Sequence, residues 1–266
     1  MSQVESPSFP RPGPVLRAVM IGVGAIWLAF AVGINWAGAP ESLFLLLCGN
    51  TQRVLHGEVW RLFTAPWMHV PVGTLWHVVS TLLGLYFLAP SLETNWGGAR
   101  FARFLLVAAL LAYATQMLAE LVLPFDVAPA GGYWFGAGPL IEAVAIAWAL
   151  NYQGGTVRLF FVLPVTATGL IWFVVGMSVL SVIIKAQTES GLVAPFGGML
   201  AGWLFGSRSP SPLRRLWLKL RLAQLDAEAK KEAQARRSRA AKSGFKVISG
   251  GRDESEDESK PGRWLN

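Results

Sequence analysis

Six apolar runs punctuate the first 206 residues of this chain: Ala18 to Trp36, Leu75 to Pro90, Phe104 to Leu123, Gly136 to Leu150, Thr166 to Ile184 and Gly191 to Gly206. Hydrocarbon offers no partner to a backbone N–H or C=O group, so a run that crosses a bilayer must close its hydrogen bonds within itself, as a helix. Crossing about 30 Å at 1.5 Å per residue takes about 20 residues. The composition agrees: 53% of the residues are hydrophobic, 12 are Trp and 15% are charged, whereas soluble domains carry about 25% charged residues. The expected fold is therefore an all-α membrane protein, a bundle of six transmembrane helices. The second run is short, which implies local thinning of the bilayer around it.

Two stretches between the runs resist a simple reading. Ala37 to Thr74 mixes Glu41, Arg53, His56, Glu58, Arg61 and His69 with apolar clusters such as Phe44-Leu45-Leu46-Leu47. It is too polar to span and too apolar for a free loop. The expectation is a first loop partly embedded in the interface, with Trp60 and Trp67 at headgroup depth. Leu159 to Leu163 is apolar too, but Pro164 and the β-branched and aromatic content argue against a helix there. A short connector at the membrane face is expected.

Charge divides the chain. Residues 1–206 hold eight Lys/Arg and eight Asp/Glu, whereas residues 207–266 hold fifteen and eight, so the tail carries the whole net charge of +7. With six spans, Arg11, Arg17, Arg100, Arg103, Arg158 and the tail fall on one side, which the positive-inside rule places in the cytoplasm. The expected organisation is a flexible cytoplasmic N-terminus (1–17), a membrane domain (18–206), a basic juxtamembrane amphipathic helix (207–242) and a disordered acidic tail (243–266). The N-terminus lacks the charged start and cleavage site of a signal peptide, so the first run is expected to stay as an anchor. A multi-pass protein of a bacterial inner or plasma membrane, with both termini cytoplasmic, is the expected location.

In the tail, Leu213, Leu216, Trp217 and Leu220 recur at helical spacing among Arg214, Arg215, Lys219 and Arg221. The basic stretch 213–231 suits an anionic leaflet rather than nucleic acid, because it directly follows a membrane run. From Ala223 to Lys242 the apolar face is lost and the helix is expected to fray into solvent. The run Asp253 to Glu258 has the composition of disorder. The final Arg263-Trp264-Leu265-Asn266 reads as a free end.

Gly198, Gly202 and Gly206 recur every four residues along the last run, which brings that helix close to a neighbour. Glu142 is the one carboxylate in the fourth run. At that depth it should face the bundle interior and be paired. Thr81, His77 and Gln116 are the expected partners, and recognition of a polar feature on a partner helix is the functional alternative. Arg61 and a nearby Glu form an expected loop staple. Cys48 is the single cysteine, and with His56, His69 and His77 as the only histidines there is no metal constellation. No cofactor is expected.

From Glu58 to Gly206 the chain resembles the rhomboid superfamily. Trp60-Arg61 resembles the family's Trp-Arg motif in the embedded loop. His69 resembles its loop histidine and His77 the histidine opening the second helix. Glu93 and Gly97 resemble the residues closing that helix, Leu159 to Val165 the apolar-Pro-Val connector, and Gly198 with Gly202 the glycines of the last helix.

The resemblance implies a rhomboid-like bundle with an embedded first loop. It also implies an intramembrane serine protease, in which a Gly-x-Ser-Gly serine on the fourth helix meets a histidine on the sixth. A hydroxyl needs an adjacent base to attack, and donors must hold the oxyanion. In this chain the serine position is Gly138, followed by Pro139, the base position is Pro195, and the second-helix Asn position is Thr81. No Ser, Cys or Thr lies between Gly131 and Leu150, and no His follows His77. The expected function is a non-proteolytic member that binds a transmembrane client or organises the membrane. The alternative is an active intramembrane serine endopeptidase with an atypical site, in which His77 serves Thr81 one turn away.

Overall fold

The computed structural model describes residues 11–123, 132–159, 163–186, 189–206 and 212–242. The expectations for the extreme N-terminus, Asp126, the acidic run and the final four residues lie outside them. The chain divides into two compact units, Met1–Arg214 and Arg215–Asn266.

In the first unit, α1 covers Pro14–Asn35. The first loop folds into α2 (Glu41–Leu47), α3 (Thr51–Leu55), α4 (Arg61–Thr64) and a 3-10 turn, Ala65–Trp67. Then come α5 (Trp76–Trp96), α6 (Gly98–Val122), α7 (Gly138–Asn151), α8 (Ala167–Ile183) and α9 (Ala194–Phe205). Each apolar run thus yields one helix. By length and composition, two of them, Pro14–Asn35 and Gly98–Val122, are long and apolar enough to cross a membrane, and α7, α8 and α9 are shorter apolar helices.

The second run is not short. α5 has 21 residues and passes through Pro90 to end at Trp96. Proline removes one i→i−4 bond, but Pro90 is buried among Leu88, Ala89 and Leu92, and packing outweighs the local preference to stop. The described chain is mostly helical, with one short two-stranded sheet besides. Thr156–Leu159 (β1) and Leu163–Thr166 (β2) pair antiparallel, with Thr156 opposite Thr166 and Arg158 opposite Pro164. The expected connector is therefore a hairpin, at least over its described residues. Its β-branched residues favour extended backbone, and proline is tolerated in a strand that has no further neighbour.

α7 sits at the centre. It packs against α5, α6, α8 and α9, while α1 packs on α5 and α6. Ala143, Val144, Ala145, Ala147 and Ala149 are all buried, so α7 is covered nearly all round. The start of α1 is held by a side chain far away in sequence. The Glu93 carboxylate accepts from the backbone N–H groups of Val15 (2.9 Å) and Leu16 (3.1 Å), satisfying two orphan donors at the positive end of the helix.

The tail helix α10 (Pro212–Lys242), most of which belongs to the second unit, runs unbroken through the segment expected to fray. Pro212 stands at the helix start, where a missing N–H costs nothing. Ala, Glu, Lys and Arg are strong helix formers, and Asp226/Lys230 and Glu232/Arg236 have favourable i,i+4 spacing. Leu216, Trp217, Leu220 and Leu222 along it are exposed.

Candidate functional site

The first turns of α5, α7 and α9 converge with the end of the first loop and the α8–α9 loop. His69, in the loop, is 1% exposed. Its Nδ1 lies 3.1 Å from the Trp67 carbonyl and its Nε2 3.1 Å from Thr81 Oγ1. Burial, with His77 beside it, pushes this imidazole down to about 4, so it is neutral at neutral pH. The two rings lie 4.8 Å apart. His77 Nδ1 accepts from the Val70 N–H at 3.2 Å, which assigns the ring proton of neutral His77 to Nε2. That edge abuts Gly136: a Cβ there would stand 2.8 Å from Cε1 and Nε2 of His77. With φ at +103°, Gly136 needs to be glycine on both counts.

The His77–Thr81 ring-to-hydroxyl pair of the alternative reading does not form. The Thr81 hydroxyl lies 3.1 Å from both the His77 backbone carbonyl and His69 Nε2, and its one proton serves one of these acceptors at a time. A threonine one turn ahead in a helix turns its hydroxyl back onto the carbonyl four residues earlier, so the spacing that puts the two side chains on one face does not join hydroxyl to ring.

Gly138 is the first residue of α7 and Pro139 the second, while Pro195 stands in the first turn of α9. The close approach of these helices is intact. A Cβ at Gly198 would collide with the Pro139 carbonyl, one at Gly202 with the Ala143 carbonyl, and one at Gly206 with Ala147. The glycine spacing of α9 therefore matches a four-residue spacing on α7, side by side and parallel.

Several participants are not evident from sequence. The Gln116 Oε1 accepts from the N–H groups of Val193 (2.8 Å) and Ala194 (3.1 Å), capping α9, and its Nε2 donates to Glu120 Oε1 at 2.9 Å. Tyr113 Oη donates to the Gly136 carbonyl at 2.5 Å. The α8–α9 loop is tied in by the Phe135 N–H, which donates to the Glu189 carbonyl at 2.7 Å. It brings Ser190 Oγ to 3.8 Å from where a Cβ on Gly138 would be, and Glu189 close enough to His77 to interact electrostatically. The usable signal was polar residues inside apolar runs: Gln116 and Glu120 break the third run as Glu142 breaks the fourth.

Glu142 itself is paired, but not as expected. Neither Thr81, His77 nor Gln116 is its partner; Ser178 Oγ of α8 donates to its Oε1 at 3.3 Å. Glu142 meets α8 through Ser178, whereas the three expected partners stand on α5 and α6.

Arg61 builds the expected staple. Its guanidinium, 2% exposed, contacts Glu58 at 2.5 Å and donates to the carbonyls of Leu45 (2.5 Å) and Cys48 (2.6 Å). Arg53 adds a second contact to Glu58 at 3.2 Å. The Arg61 hydrogen bond holds the Glu58 carboxyl below the usual carboxylate range against a smaller opposing effect of desolvation. Burial pushes the Cys48 thiol up to about 12, which makes it a packing residue rather than a nucleophile. Trp60 is exposed and Trp67 half-buried against α1. Among the described residues no cluster of His, Cys, Asp and Glu could hold a metal ion.

Comparison with known proteins fits this arrangement. The Rhomboid domain family matches residues 56–208. Rhomboid protease GlpG of Salmonella choleraesuis (strain SC-B67) is 25% identical over 169 residues, covering 62% of this chain and 54% of the relative. Rhomboid protease GlpG of Salmonella typhi is 24% identical over the same extent. The chain thus spans about half the length of the curated relatives it matches. With more than half of its residues inside the family match, and the loop, glycine ladder and histidine pair placed as described, the chain belongs to the rhomboid family.

Proposed function

We propose that this protein is a non-proteolytic rhomboid that binds a transmembrane client without cutting it. The observation that carries the reading is the pair Gly138 and Pro195, which stand at the starts of α7 and α9 with neither a hydroxyl nor an imidazole. The packing that would bring a serine and a histidine together persists, and the groups themselves do not. In this reading α1 and α5–α9 form six spans, both termini are cytoplasmic, and α10 lies on the anionic leaflet through its basic residues.

The test is cleavage of a model transmembrane substrate by the full chain in liposomes. No product is expected from the natural sequence. Gain of cleavage on combining Gly138→Ser, Pro139→Gly and Pro195→His would mean that the scaffold still admits substrate. Product from the natural sequence overturns the proposal. For the tail, trypsin should cut α10 more slowly in phosphatidylglycerol-containing nanodiscs than in phosphatidylcholine alone, and equal rates reject the leaflet contact.

A second reading rests on Ser190. Its hydroxyl reaches toward the place of the missing side chain at Gly138, with His77 and Glu189 nearby. That grouping supports an atypical serine hydrolase in which His77 gives up the Val70 hydrogen bond, shifts its proton to Nδ1 and offers Nε2 as the base; the curated relatives are named proteases. Labelling by a fluorophosphonate that disappears in both Ser190→Ala and His77→Ala would favour it over the first reading.

A further inference from the structure

The buried carboxyl of Glu142 is more than a link between helices. Ser178 Oγ lies 3.3 Å from Glu142 Oε1 and 3.0 Å from the carbonyl of Val174. One hydroxyl has one proton, so it serves one of these oxygens fully at a time. The other carboxyl oxygen, Oε2, is buried and has no partner among the described residues. Glu142 therefore holds acceptor capacity that its own fold does not use, in surroundings where an unpaired polar group is costly.

The seam that contains it is less closely interlocked than the α9 and α5 sides of α7. On the α9 side, backbone lies against backbone at Gly198 and Gly202, and on the α5 side a Cβ at Gly84 would stand 2.9 Å from Ile141 Cγ2. On the α8 side nothing comparable exists. α8 buries Ala167, Leu170 and Ser178, its Gly176 faces open space, and Trp172 (71% exposed) and Ile183 (72% exposed) point outward. Lipid tails are as apolar as these side chains, so little but contact area and the Ser178 hydrogen bond favours the present pairing.

Resting on the client-binding reading, we infer that Glu142 is a recognition site for a hydrogen-bond donor at mid-helix on a transmembrane client, such as an Asn or Gln amide. As α8 yields at the α7–α8 seam, the client's donor reaches the buried, unpartnered oxygen. Clients without such a donor leave the carboxyl as it is and gain nothing from it. The site thus discriminates by polarity where neighbouring contacts discriminate only by shape.

The test uses the full chain in lipid nanodiscs and two labelled probes, a leucine-rich transmembrane peptide with one central Asn and the same peptide with Leu in its place. Energy transfer to the labelled protein reports binding. The Asn peptide should bind about fivefold more tightly, as one interhelical hydrogen bond in lipid provides. Glu142→Leu should erase that preference, Glu142→Gln should keep part of it, and Ser178→Ala, which frees Oε1 as a second acceptor, should enlarge it. Equal binding of both peptides to the natural sequence, or a preference that survives Glu142→Leu, overturns the inference while client binding stands. Binding of neither peptide overturns both.

Discussion

Gly198 lies directly against the carbonyl of Pro139, with no room for even a methyl group between α9 and α7. The contact lies near the starts of both helices and joins backbone to backbone. Replacing Gly198 by Val should force the helices apart and cost about 1–3 kcal/mol or more, as overpacking does. Gly176→Ala, at a position with open space, should be neutral or stabilising by up to about 1 kcal/mol, as in other helix interiors. Thermal unfolding in detergent measures both, and a silent Gly198→Val would contradict the close approach.

Glu93 caps a helix 77 residues earlier in the chain. Glu93→Ala removes a buried acceptor from two backbone donors, and the loss should be about 2 kcal/mol, the upper end for a helix cap. Glu93→Gln keeps one acceptor oxygen and should lose less. Modification of a cysteine introduced at Val15 reports the release directly, and unchanged reactivity in Glu93→Ala would show that the cap does not hold α1.

Arg61 anchors the first loop through a buried fork. Arg61→Met should lower stability by about 3 kcal/mol, the low end for a broken buried pair, because Glu58 keeps access to water. Arg61→Lys should rescue little, since an ammonium cannot serve Glu58 and two carbonyls in one plane. Chemical unfolding curves of the three proteins compare them, and full rescue by lysine would argue for charge alone.

His69 makes stability depend on pH. Its folded value, about 4, lies below the ordinary histidine value of about 6.5. The unfolded chain therefore takes up the proton first as pH falls, so the stabilisation is complete above about pH 6.5 and is lost progressively down to about pH 4. The full effect is of the order of 3 kcal/mol, given 1.36 kcal/mol per unit. Melting temperature should fall across that window, and the fall should flatten in His69→Gln. A parallel fall in both proteins would place the titration elsewhere.

The sequence makes the helices legible because apolar runs are a local pattern. It makes Gly138 and Pro195 legible because both stand in a family frame. What it hides are partnerships between distant residues. Nothing near Glu93 points to Val15, nothing near Gln116 points to Ala194, and Glu142 meets Ser178 only because α8 folds back on α7. Local rules also fail where burial overrides them, at Pro90, and where strand propensity in a short connector pairs its two ends, at Leu159 and Leu163.

Evenly spaced rungs do not set their own register. Gly198, Gly202 and Gly206 face Pro139, Ala143 and Ala147, so sliding α9 by four residues, about 6 Å, would set glycine against the same kind of surface again. The marks that fix the slide are aperiodic and stand at its two ends. Gln116 grips the amides of Val193 and Ala194, and Asn151 donates to the carbonyl of Gly206 at 2.5 Å. The glycines give α9 its track, and two amide side chains decide where on the track it stops.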